Sequence, residues 1–121
     1  MSFISRFGEK LTETPEQLHA QETRAWCGEI AEVQQIIECR ARTRRRVAGV
    51  VQSIKVVPRI NTSTLEVLIY DGTDQLVGIW YGRRRIPGID LGRRVILEGT
   101  ISTFDSDTLQ IINPAYELIG A

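Results

Sequence analysis

Histidine, lysine and cysteine are scarce in this chain, and each scarcity removes a class of chemistry. Its 121 residues include one histidine, His19, two cysteines, Cys27 and Cys39, and only two lysines, Lys10 and Lys55. One histidine and two cysteines twelve positions apart, with no C-x-x-C pair, leave no ligand set for structural zinc. The same two cysteines are read as reduced thiols rather than a disulfide, in keeping with a cytosolic protein. No apolar run is long enough to cross a bilayer. The first residues, MSFISRFGEKL, are broken by Arg6, Glu9 and Lys10 and lack the apolar stretch of a signal peptide. The expectation is a cytoplasmic protein with no membrane partner.

Catalytic patterns are missing too. Asp71 and Asp74, like Asp105 and Asp107, fall in turn sequences rather than converging on strands. His19 has no nucleophile near it in sequence, and no serine or threonine sits in a nucleophile-elbow context. There is no G-x-x-x-x-G-K-[ST] phosphate loop. The expectation is no enzyme, no catalytic residue, no cofactor and no metal.

Charge is present in quantity but unevenly placed. Residues 1–39 carry three basic and seven acidic side chains, residues 40–94 twelve and four, and residues 95–121 none and four. A net charge of zero therefore conceals a basic centre between acidic ends, and a polyanion responds to the local field. The basic residues are nearly all arginine, whose planar fork suits phosphate.

Thr14-Pro15-Glu16-Gln17 reads as a helix start, with Thr14 as cap, Pro15 in the first turn and Gln17 completing a capping box. The helix should run through Trp26 and stop near Gly28, with a further helical turn between Ile30 and Ile37. From Arg46 the period falls to two. Arg46–Val57 reads as a long strand. Val47, Gly49 and Val51 share one parity and Ile54 and Val56 the other, so a bulge is expected near Gln52-Ser53. Pro58 to Ser63 reads as a loop and Thr64–Tyr70 as a second strand. Asp71 to Asp74 is a hairpin turn, and Gln75–Gly82 is a third strand. Arg83–Gly92 is a connection, Arg93–Thr103 a fourth strand and Thr108–Asn113 a fifth. The tail Ala115–Ile119 adds a short strand. The division expected is an N-terminal helical extension over 1–45 and a five-stranded unit over 46–121. Five strands with a long bulged first one fit a Greek-key OB barrel; strand count alone also fits an SH3-like barrel or a simple meander.

Residues 46–118 resemble the OB-fold nucleic-acid-binding family, in particular the wedge domain of RecG-type branch-migration helicases and small stand-alone bacterial proteins built on it. The resemblance is carried by Val47-Ala48-Gly49-Val50-Val51, Asp71-Gly72-Thr73, Trp80-Tyr81-Gly82, Arg83 through Ile89, Leu91-Gly92-Arg93-Arg94-Val95 with Glu98-Gly99, and Asn113-Pro114-Ala115-Tyr116-Glu117. It covers about three fifths of the chain. It implies a mainly β, five-stranded Greek-key OB barrel and nucleic-acid binding. The resemblance stops at the barrel, and fold alone does not fix function.

Binding of single strands by such a fold takes a positive groove for phosphates and flat side chains for bases. Leu65, Val67 and Ile69 should face inward on strand two, as should Leu76, Gly78 and Trp80 on strand three. The outward set is then Glu66, Leu68, Tyr70, Val77, Ile79 and Tyr81, too apolar for a solvated face. Nucleic acid, a protein partner, a second copy of the chain or the N-terminal helix must cover it. The candidate nucleic-acid-binding residues are Arg59 in the loop after strand one, Tyr70, Tyr81, and Arg83, Arg84 and Arg85. Trp80 is read as core. Arg42, Arg44, Arg45 and Arg46 read as a solvated linker, and Arg93 and Arg94 as neutralising nearby acids. The leading expectation is a non-catalytic binder of single-stranded or junction DNA, with RNA open. The alternative is a protein-interaction or assembly module using the apolar outer face.

Overall fold

The computed structural model describes residues 14–120. Helix α1 spans Pro15–Gly28, and its start is the expected capping box: the Gln17 amide donates to Thr14 Oγ1 at 3.1 Å and the Thr14 amide to Gln17 Oε1 at 2.8 Å. The segment after it is less helical than its apolar spacing suggests. Only Ile36–Glu38 forms a 3-10 turn, because Glu32 takes a left-handed φ of 64° and Gln34 donates instead to the Arg46 carbonyl at 2.9 Å.

Six strands follow: β1 Arg44–Arg59, β2 Thr62–Tyr70, β3 Gln75–Tyr81, β4 Arg94–Thr103, β5 Leu109–Ile112 and β6 Ala115–Ile119. Their order is β1-β2-β3-β5-β4-β6, and β1 also pairs with β4. The first five strands therefore close on themselves. All pairings are antiparallel except β3 with β5. Closure depends on the length of β1. Its first half, Arg44 to Val50, pairs with β4, and from Val50 onward it pairs with β2. The register slips between Val51 and Ser53, leaving Gln52 as the extra residue of the expected bulge.

β1 runs two residues further at each end than its alternation suggests. The stretch read as a loop from Pro58 is paired strand, with Pro58 opposite Ser63 and Arg59 opposite Thr62. Proline is tolerated because this half of β1 has β2 on one side only among the described strands. A two-residue turn remains, Ile60-Asn61, with Asn61 at φ 65°.

The inward set is the one the alternation predicts, but Val77 and Ile79, expected on an open outer face, are buried by the chain itself. Val47, Val51, Leu65, Val67, Ile69, Leu76, Val95 and Leu97 are buried in one cluster with Trp80, Ile101 and Ile111. The irregular connection between β3 and β4 closes one end by inserting Ile86 and Ile89 into that cluster. At Gly88, φ is 88° and any Cβ would lie 2.3 Å from Leu118 Cδ1, so this turn needs glycine.

Helix α1 does not cover the outer face of β2 and β3. Cys27 packs on Ala48 of β1 and Ile96 of β4, joined by Trp26, Ile30, Val33 and Ile119. Leu18 remains exposed. Arg94 forms no ion pair among the described residues; its guanidinium lies 4.7 Å from the centre of the Trp26 ring. Arg93 likewise donates to the Gly120 carbonyl at 3.0 Å. Asp71, expected only as a turn residue, is a buried hub. Its Oδ1 accepts from the Thr73 amide at 2.9 Å, the Thr73 hydroxyl at 2.6 Å and the Asp74 amide at 3.1 Å. Its Oδ2 accepts from the Ile36 amide at 2.8 Å. One carboxylate thus shapes the β2–β3 turn and ties the inter-element segment to it.

Candidate functional site

The far end of the β1–β2 hairpin and the end of β3 meet in one rim. Thr64 of β2 pairs with Tyr81 of β3. Next to it, the Gly82 amide donates to the Ser63 carbonyl at 2.8 Å and the Ser63 hydroxyl to the Arg83 carbonyl at 3.3 Å. On the other side, Arg59 Nε donates to Thr64 Oγ1 at 3.2 Å. Arg59 is therefore the last residue of β1, not a loop residue. It and Tyr81 flank the same threonine.

The three arginines after Tyr81 are held by their neighbours. Gly82, at φ 73°, turns the chain out of β3, and four positions later the buried Ile86 pins it again. Arg83, Arg84 and Arg85 span the gap, and all three are exposed. None of them, nor Arg59, forms an ion pair among the described residues. The ion pairs there belong to the other arginine cluster: Arg44 and Arg46 to Glu98 at 3.4 and 3.7 Å, and Arg46 to Glu117 at 3.1 Å. That cluster is not a linker, since Arg44 already opens β1. The separation has an electrostatic consequence. The charge of Arg44 and Arg46 is answered locally, while the rim keeps an unneutralised positive field.

Tyr81 is 54% exposed, yet its backbone is fixed by a residue that sequence reading missed. Asn113 takes a left-handed φ of 48°. Its amide donates to the Ile79 carbonyl and its side-chain oxygen accepts from the Tyr81 amide at 3.1 Å. The available signal was the Asn-Pro pair after a strand, since asparagine tolerates left-handed backbone and proline ends the pairing. Trp80, one residue earlier, points inward, and its indole N–H donates to the Pro114 carbonyl at 3.2 Å.

Tyr70 does not join this group. It pairs with Val50 and Gln75 at the opposite end of β2, six residues from Thr64 and so about 20 Å away along the strand. Between the two ends lie Glu66 and Leu68, with Val77 and Ile79 opposite them on β3. No family model matches the chain, and no curated protein matches it significantly.

Among the described residues no three His, Cys, Asp or Glu side chains gather as a metal site. Both cysteines are free and buried. Burial, reinforced by the Asp71 carboxylate and opposed by Arg94, pushes the Cys27 thiol from 9.0 up to about 12. Burial raises Cys39 as well, against the opposing charge of Arg45. Such thiols are poor nucleophiles and poor metal ligands. The rim, in contrast, offers four guanidinium forks and one flat ring on ordered backbone, a set of groups suited to an anionic, planar ligand.

Proposed function

We propose that this chain is a non-catalytic nucleic-acid-binding module of OB-fold type, acting on single-stranded or branched DNA, with RNA an open substrate. The strand order β1-β2-β3-β5-β4 closing back on β1, with β3 and β5 parallel, supports reading the closed sheet as a five-stranded Greek-key OB barrel. The observation that carries the function is the meeting of Arg59, Tyr81 and Arg83–Arg85 at one rim without an ion-pair partner among the described residues. Guanidinium groups grip phosphates and a half-exposed phenol ring stacks on a base. Tyr70 drops out of the site for the reason of distance given above.

A second reading, a protein-interaction or assembly module, has less to draw on, because Val77 and Ile79 of the expected outer stripe are buried within the chain and Leu68 is half-buried. Salt separates the two readings, because phosphate contacts release counterions and apolar pairing does not. The test is a titration of the protein with single-stranded, duplex and forked DNA and single-stranded RNA at two salt concentrations. The nucleic-acid reading expects single-stranded or forked substrates to bind more tightly than duplex, with affinity falling steeply as salt rises. Absence of binding at low salt refutes it and puts assembly first.

A further inference from the structure

Glu66 of β2 carries an acid onto the face that bears the arginine rim. Side chains directly opposite one another across an antiparallel pair share a face, and so do alternate residues of one strand. Thr64 stands opposite Tyr81 and Glu66 opposite Ile79, so all four lie on one side of the sheet. Arg59 joins them, since its Nε reaches Thr64 Oγ1 at 3.2 Å, and Ile112 does so through its pairing with Ile79. Glu66 is thus the diagonal neighbour of Tyr81, about 7–8 Å from it, within reach of the edge of a base lying on that ring. Lys55 stands opposite Glu66 on β1, yet the Glu66 carboxylate forms no ion pair and no hydrogen bond among the described residues. It is half-buried, beside the buried Ile79 and the partly exposed Ile112. An acid there opposes a phosphate, but its two oxygens are acceptors open to a ligand that brings donors.

We infer that Glu66 reads a base beside Tyr81, and that the base it selects is guanine. This rests on the nucleic-acid reading above. The pairing edge of guanine offers two parallel donors, N1–H and the N2 amine, and a carboxylate accepts both at once, as it does from an arginine fork. Thymine and uracil offer one N–H between two carbonyl oxygens, which repel the carboxylate. Cytosine and adenine offer one amine beside an acceptor. Only an unpaired base presents that edge. The arginines hold phosphates whatever the sequence, and Glu66 adds the preference they cannot supply.

The test uses labelled single strands of about 16 nucleotides, the upper end of an OB footprint. One is thymine throughout; in two others every third base is guanine or inosine, so that any register brings one of them to Glu66. The guanine strand should bind the unmodified protein roughly 5- to 150-fold more tightly than the thymine strand. Inosine keeps the ring and the N1–H of guanine but lacks the amine, so its strand should fall between the two. Glu66→Gln keeps the shape of the side chain and removes one of the two acceptors. It should bring the guanine and inosine strands to the same affinity and leave the salt slope unchanged. The inference is overturned if the unmodified protein binds the guanine strand no more tightly than the inosine or thymine strand, a result that does not depend on how any variant folds. It is also overturned if folded Glu66→Gln keeps the gap between guanine and inosine, since stacking alone then sets the preference. If the unmodified protein binds none of the strands at low salt, the nucleic-acid reading itself has failed, a different and recognisable outcome.

Discussion

Replacing Arg83, Arg84 and Arg85 together by alanine is the perturbation with the clearest expected magnitude. The three side chains are exposed and form no ion pair among the described residues, so their loss removes no described contact that holds the fold. Ile86 and Gly82 still anchor the segment through the core and the Ser63 carbonyl. If each rim arginine, Arg59 included, neutralises one phosphate, the four together give a slope of log K against log salt of about −2.8 on a single strand. Affinity should then fall about 50-fold as salt rises from about 50 to about 200 mM. With Arg59 alone remaining, the slope shrinks to about −0.7 and the same change in salt costs only about threefold. Fluorescence anisotropy at four or five salt concentrations measures both slopes, and thermal unfolding checks that the variant is folded. The loss should be alike for different base sequences, since phosphate contacts carry no sequence code. A folded triple variant with an unchanged slope would falsify the placement of the phosphate contacts on this rim.

Two further outcomes concern the fold that carries the rim. Asp71→Ala strands the buried Ile36 amide and loosens the Thr73-Asp74 turn, and should cost about 3–5 kcal/mol; urea unfolding followed by Trp26 emission measures it, and a loss under about 1 kcal/mol contradicts the hub role. Cys27 is held protonated in the fold, with its thiol at about 12 against an ordinary 9.0. Unfolding frees it to ionise, so stability is full below about pH 9 and declines as pH rises toward 12, by up to about 1.4 kcal/mol per pH unit. Cys27→Ala should flatten that decline in urea midpoints compared at about pH 8 and about pH 10. An identical decline in the variant would assign the alkaline loss to other groups.

The interior was legible because strand alternation has a period of two and leaves little freedom once one face is buried. Val67, Ile69, Val95 and Leu97 all lie inside as expected, and the change of parity within β1 located the bulge at Gln52. The helix start was legible for a similar reason, since capping is local chemistry. What a helix packs against is not local. The apolar residues of α1 announce a face to be buried, but Ala48, Ile96 and Ile119 become its partners only once β4 and β6 lie beside β1. Arg59 was misplaced because Pro58 looks like a strand stop. It is tolerated on a strand with a single neighbour, a circumstance visible only in the sheet order. Asp71 was read as a turn residue and Asn113 as the end of the fifth strand. Their second roles toward Ile36 and Tyr81 join segments thirty or more positions apart, and no short window of sequence contains both partners.

The two-part pairing of β1 also bears on how the chain reaches this structure. The half beyond Gln52 pairs with β2 across a two-residue turn, and β2 with β3 across a four-residue one, so loop closure there is short and fast. The half before Gln52 must find β4, with Arg44 opposite Thr100, 56 positions away, and that search is slow. The bulge thus divides one strand into an early-ordering and a late-ordering segment. The hairpin that bears Arg59 belongs to the early one, while the seat of helix α1 is finished only when the sheet closes.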